Sequence, residues 1–262
     1  MSLVRIVFPL ALLGACGAQI ADGAASSGAI GSGDDDGGPV VDAPGGGSGS
    51  SAPDAPPMAT ACNQRTLYLN FEGQALQRAL VSDATKNQAS WMQSDTATAP
   101  KFLQGNATRA TTIKTIVDGV RAQLSTFPVT VVTDRPASGD YVMIVLGGQR
   151  RDVSSAYGAA VNTLDCGDLV KDDLAWISDG ALPEQHVINL VLGATGFGLG
   201  LTGTSDPADC MCGWANDCQS NDGVACKLGS PIARDPDATQ KCSAAGATQD
   251  EKLAVHDAFC GK

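Results

Sequence analysis

In residues 66–71 apolar and polar positions alternate, and that period of two places Leu67, Leu69 and Phe71 on one face of a strand. A polar, insertion-like stretch containing Trp91 comes next. Between residues 106 and 126 the period changes. Ile113, Ile116, Val117, Val120 and Leu124 recur at steps of three and four, which predicts an amphipathic helix ending near Phe127 and Pro128. Residues 129–133 and 141–146 are β-branched runs flanking the turn-rich link 134–139, and residues 173–178, with Trp176, read as a further strand. Residues 154–161 predict an irregular edge strand. Residues 253–259 predict a last amphipathic helix, on which His256 is a packed or exposed side chain rather than a ligand.

The pattern is least decisive over residues 184–212, EQHVINLVLGATGFGLGLTGTSDPADCMC, where three readings compete. In the first, residues 187–192 are a buried strand feeding GATGFG, which resembles the phosphate turn of the short-chain dehydrogenases and would imply NAD and an oxidoreductase. The glycines are out of step, because that family has them at the first, fourth and seventh places. Here Gly193 and Gly196 are followed by Leu199, with Gly198 and Gly200 on either side. Only 59 residues lie beyond Gly203, six of them cysteines, which is too little chain for the further βαβ units such a fold needs. In the second reading residues 187–203 form an uncharged membrane span. Seventeen residues is the short limit, and five glycines with Asn189, Thr195 and Thr202 suit a helix buried in a domain better.

The third reading predicts a helix over residues 184–200 and rests on the residues just beyond its end. Gly200 and Leu201, then Thr204-Ser205-Asp206-Pro207, Asp209 and Met211, resemble the downstream half of the metzincin zinc-protease motif H-E-x-x-H-x-x-G-L-x-H. The trailing Thr-x-Asp-Pro and Met are similar to those of its bacterial matrixin-like members. The predicted order of strand, helix, two strands, edge strand, strand and motif helix is also the order in that family's N-terminal subdomain, and the resemblance covers about residues 65–211. It places the three zinc ligands at Gly193, Phe197 and Gly203 and the catalytic glutamate at Ala194. Zinc catalysis needs lone-pair donors and a water that the metal acidifies, and none of these four side chains offers a donor. Besides His256 the chain has one histidine, His186, seven positions before Gly193 and about 10 Å away along a helix. The resemblance therefore implies a protease fold without protease chemistry, with Phe197 filling the space where a ligand and ion would meet, and no cofactor. A hydrolase with an active site of another kind stays open, although no Ser-His-Asp or Cys-His arrangement and no nucleophile elbow stands out.

Composition bears on where the domain is delivered. Residues 1–15 carry Arg5 and a short apolar core broken by Pro9, an export signal too short to anchor. Leu13-Gly14-Ala15-Cys16 resembles a bacterial lipobox, implying a lipidated Cys16 and attachment to a membrane through acyl chains. Gly17 in place of aspartate points to the outer membrane. Residues 16–61 are Gly, Ser, Ala, Pro and Asp with few large apolar side chains, a tether that would hold the domain roughly 35–40 Å from lipid. Asp34, Asp35 and Asp36 lack the alternating spacing of a calcium loop. A net charge of −11, with no basic cluster beyond Arg150 and Arg151, argues against a nucleic-acid partner.

Eight cysteines remain besides Cys16: Cys62, Cys166, Cys210, Cys212, Cys218, Cys226, Cys242 and Cys260. An even count in an exported chain predicts four disulfides, of open connectivity except that Cys210 and Cys212, on one strand face, should not pair together. A structural zinc on Cys210, Cys212, Cys218 and Cys226 is the alternative, although C-x-C-x5-C-x7-C is not a usual ribbon spacing. Asn216, Asp217, Asn221 and Asp222 fit turns at least as well as calcium. The chain thus reads as an α/β (α+β) protein. Signal 1–15 and tether 16–61 precede a metzincin-like twisted mixed sheet with two long helices at 62–209, and an irregular Cys-rich subdomain occupies 210–262. The function expected is a binding or structural module for a protein or peptide ligand, not an enzyme.

Overall fold

The computed structural model describes residues 62, 65–214, 218–243 and 245–261. Cys16, Asp34, Asp35, Asp36, Asn216 and Asp217 lie outside the described residues.

The fold is mixed α/β, and its centre is strand β6, Asp140–Leu146, whose run DYVMIVL is buried at every position but the first. A strand without polar alternation must be covered on both faces, and this one is. Strand β1 (Arg65–Asn70) lies beside it in parallel, and β5 (Thr130–Val132) lies outside β1, also in parallel. On the other side β8 (Leu174–Ile177) is parallel to β6, and the two-residue β7 (Ala160–Val161) closes that edge antiparallel. The order across the sheet is β5-β1-β6-β8-β7. The edge strand predicted over 154–161 forms only at its end, because the chain before it turns, with Ser154 at a φ of 56°.

One face, with Leu67, Leu69, Ile144 and Ile177, packs against α1 (Arg109–Gln123) and α2 (Glu184–Gly198). The two helices approach so closely that a β-carbon on Gly119 would collide with the Ile188 side chain. The opposite face, with Tyr68, Met143, Val145 and Trp176, is covered by the stretch that reads as a polar insertion. Those residues form a small sheet of β2 (Gln74–Arg78), β3 (Gln88–Ala89) and β4 (Thr96–Ala99), in the order β3-β2-β4. Leu76, Ala84, Ala89 and Met92 supply its inner side, and Trp91 Nε1 donates to Leu174 O at 2.8 Å. The stretch is polar because only one of its faces meets the core.

The C-terminal part holds a two-residue antiparallel ladder, β9 (Ile232–Ala233) with β10 (Thr248–Gln249), and α3 (Glu251–Cys260), whose N-cap Asp250 accepts from Leu253 N. Val255 and Phe259 of α3 enter the same apolar core as α1 and α2. Four disulfides join Cys62 to Cys260, Cys166 to Cys242, Cys210 to Cys226 and Cys212 to Cys218. The pairing keeps Cys210 and Cys212 apart, as their spacing requires. It also overturns the four-thiolate zinc alternative, since bonded sulfurs supply no thiolate.

Candidate functional site

Residues 187–192, which the dinucleotide reading makes a strand, lie inside α2, so no strand feeds the glycine-rich turn. That helix is 15 residues long, and among the described residues no helix is long and apolar enough to cross a membrane. Glu184 places a carboxylate in the first turn, where the helix dipole favours it. Eleven of its residues, from Val187 to Gly198, are buried, which accounts for the missing polar face.

Glycine inside a helix costs about 1 kcal/mol relative to alanine, and α2 carries three. Each lies under a group that needs the room. A β-carbon on Gly193 would fall on Trp214 Nε1 and 2.7 Å from Cys210 O; one on Gly196 would lie 2.7 Å from Met211 Sδ; one on Gly198 would fall on Asp173 Oδ2 and 2.7 Å from Asn162 Nδ2. The helix ends at Gly198, and Gly200, with a φ of 87°, turns the chain so that Leu201 N donates back to Gly196 O at 3.0 Å.

The returning loop is pinned by Asp209. Its Oδ1 accepts from Thr204 Oγ1 at 3.0 Å and from Met211 N at 2.8 Å, and Trp214 N donates to Met211 O at 3.1 Å. Trp214 is thereby laid against Phe197, with ring centroids 5.4 Å apart. Phe197 is buried as expected, and Trp214 shares the space with it. Ala194 is fully buried, its carbonyl accepting from Asn162 Nδ2 at 2.9 Å. Gly203 is buried beyond the turn, its carbonyl accepting from Asp235 N at 2.9 Å. Side chains that could bind zinc are lacking at all four positions, and a bulky ring pair stands in their place.

Beside this packing is a small, partly open recess, lined among others by His186, Asn189, Leu190, Trp214 and Ser220. His186 Nδ1 lies 3.6 Å from Asp222 Oδ2, and burial pushes the imidazole pKa down while Asp222 opposes the shift. Ser220 Oγ donates to Asp222 Oδ1 at 2.8 Å. The three side chains come together although His186 is distant in sequence, and no local pattern announces it. Their order is serine to carboxylate to imidazole. A nucleophile needs its proton directed at a base such as imidazole, and here the hydroxyl is directed at the carboxylate instead. Asn221 Oδ1 accepts from Gly223 N at 3.3 Å, a turn contact.

Cys62, His256 and Cys260 bring ligand atoms within 4.8 Å of one another, but the two sulfurs are bonded to each other and leave the imidazole as the lone donor. His256 is an exposed side chain with Nε2 3.6 Å from Cys260 Sγ. No protein-family model matches the chain, nor does any curated protein.

Proposed function

We propose that this chain is an exported, lipid-anchored module with a metzincin-like domain that binds a protein or peptide ligand, or serves a structural role, without cleaving it. Apart from the small sheet β2–β4 inserted between β1 and α1, the order strand, helix, two strands, short edge strand, strand and buried helix supports the metzincin-like reading. So do the turn at Gly200 and the placement of Met211 under Gly196. The observation that carries the loss of catalysis is the seating of Trp214 on Gly193, where the motif puts its first ligand. Glycine at that position supplies no donor, and the indole occupies the volume a histidine side chain would enter. Cys16 and the tether 16–61 carry the anchoring part of the proposal.

The test is metal analysis of the purified, folded protein beside a general peptide-cleavage assay. The expected result is substoichiometric zinc and no cleavage above a heat-treated control. One tightly held zinc per chain, or cleavage abolished by a chelator, overturns the reading.

A further inference from the structure

We infer that Cys62, Cys260 and His256 form a redox-gated metal site. As a disulfide the pair offers no thiolate; opened by a thiol, it takes a thiophilic divalent cation, zinc, on two thiolates and the imidazole. Among the described residues no other His, Cys, Asp and Glu side chains converge in a group of three, and the ligand atoms of these lie within 4.8 Å of one another. His256 and Cys260 stand four apart on α3, so one helix face presents both, and Nε2 lies 3.6 Å from Cys260 Sγ. In a tetrahedral site with zinc about 2.3 Å from sulfur and about 2.0 Å from nitrogen, neighbouring sulfur and nitrogen donors are about 3.5 Å apart. The imidazole is thus already at ligand spacing from one sulfur. Its other nitrogen, Nδ1, lies 3.4 Å from Asp257 Oδ1. A proton on Nδ1 directed at that carboxylate leaves the Nε2 lone pair facing the sulfur, the arrangement in which histidine ligates metals.

The gate is thiol exchange, and exposure sets its direction. Cys62 is half-buried, whereas Cys260 is buried. An external thiolate therefore attacks Cys62 Sγ. The S–S bond breaks and its electron pair leaves on Cys260 Sγ, beside the imidazole, which neutralises the new charge when it carries a proton. A second thiol attacks the external sulfur of the mixed disulfide, expelling the Cys62 thiolate and leaving as a disulfide with the first. The two electrons gained by the protein come from those two thiols, or from one dithiol. Zinc then displaces the protons of both cysteines and keeps a fourth position for water. Cys62 adjoins the tether 16–61 and Cys260 ends α3, so under reducing conditions the metal restores the clamp that the disulfide otherwise makes between the start of the domain and its last helix.

The test is cobalt(II) uptake by the full folded chain without oxygen, before and after graded treatment with dithiothreitol that is then removed. Alkylation and peptide mapping show which cysteines are reduced. Cobalt on thiolate gives an intense charge-transfer absorption, which zinc should displace. The expected result is no such band in the oxidised protein and, once Cys62 and Cys260 are reduced, one cobalt per chain that protects both from alkylation. His256→Ala, at an exposed position, should still be reduced but should bind at least about tenfold more weakly, since losing even an outer-shell partner costs roughly 10–100-fold. A band in the oxidised protein, a fold lost before the pair is reduced, uptake that protects only other cysteines, or no uptake with both reduced overturns the site. So does wild-type affinity in a folded His256→Ala protein. Should that variant not fold, proton NMR of the cobalt-loaded wild type decides: paramagnetically shifted imidazole resonances support the site, and their absence overturns it.

Discussion

The indole Nε1 of Trp214 sits where the β-carbon of any larger residue at position 193 would have to be, so Gly193 and Trp214 require each other. A helix glycine that intrinsic propensity disfavours is retained by the ring above it, and the ring is held there by the loop that Asp209 pins.

Gly193→Ala should destabilise the fold even though alanine is the better helix former. The propensity gain of about 1 kcal/mol is set against overpacking of a filled core, typically about 1–3 kcal/mol, and the Cys210 carbonyl leaves little room to relax. In urea denaturation Gly193→Ala should lower the midpoint, and the same change on a Trp214→Ala background should lower it less, because only the Cys210 carbonyl then remains in the way. A Gly193→Ala protein as stable as wild type would show that Trp214 does not need the glycine.

Under the metzincin-like register, restoring Gly193→His, Ala194→Glu, Phe197→His and Gly203→His should supply the motif's groups, since a helix presents positions 193 and 197 on one face. The seating of Trp214 adds a condition that the motif alone does not reveal: a histidine at 193 has no entry while the indole remains. Zinc uptake, followed by isothermal titration calorimetry, is expected only when Trp214→Ala accompanies the four changes. A folded five-fold variant that takes up no zinc removes support for the register.

The major elements are legible in the sequence because their periods are strong. β6 is a continuous apolar run, α1 repeats at three and four, and both lie within a few residues of their predicted bounds. The small sheet is not legible, because Leu76, Ala84, Ala89 and Met92 are too widely spaced to show a period and reach the core only through turns. At the candidate site the absence of donors is legible, but Trp214 is not, because it lies 21 positions after Gly193 and reaches it through a tertiary turn. The meeting of His186, Ser220 and Asp222 is hidden for the same reason.

The disulfides should contribute unequally. Cys62 and Cys260 are 198 residues apart, whereas Cys212 and Cys218 are six apart. Chain-entropy scaling gives about 5 kcal/mol for the long loop and about 2 kcal/mol for the short one. Replacing Cys62 and Cys260 together by alanine should therefore lower the unfolding free energy more than replacing Cys212 and Cys218, as read by chemical denaturation. The reverse order would mean that the short loop constrains the native state in some other way.

Attachment through Cys16 can be tested apart from the fold. Mass spectrometry of the mature amino-terminal peptide should find acyl chains on Cys16, and Cys16→Ala should move the protein from the membrane to the soluble fraction. Two or more chains give lasting attachment, at about 0.8 kcal/mol per buried methylene. An unmodified Cys16 contradicts the lipobox reading.

Asp173 offers a pH test of the helix seat. Wholly buried beneath Gly198, it accepts from Asn162 Nδ2 at 2.6 Å and from Leu174 N at 2.8 Å, and burial pushes its carboxyl up to about 6 despite those bonds. A raised folded-state value means that its contribution is fully present below the ordinary 3.8 and is lost as pH rises through about 6. Asp173→Asn cannot ionise, but it lacks the second oxygen that Asn162 and Leu174 together use, so it should be the less stable protein at pH 4. Between pH 4 and 7 its deficit should shrink by on the order of 3 kcal/mol, the size of the pKa displacement. Unfolding free energies of both proteins across that range provide the check, since the titrations they share cancel in the difference. A difference that stays flat with pH would mean that Asp173 is ionised throughout, with the Asn162 and Leu174 hydrogen bonds outweighing the cost of its burial.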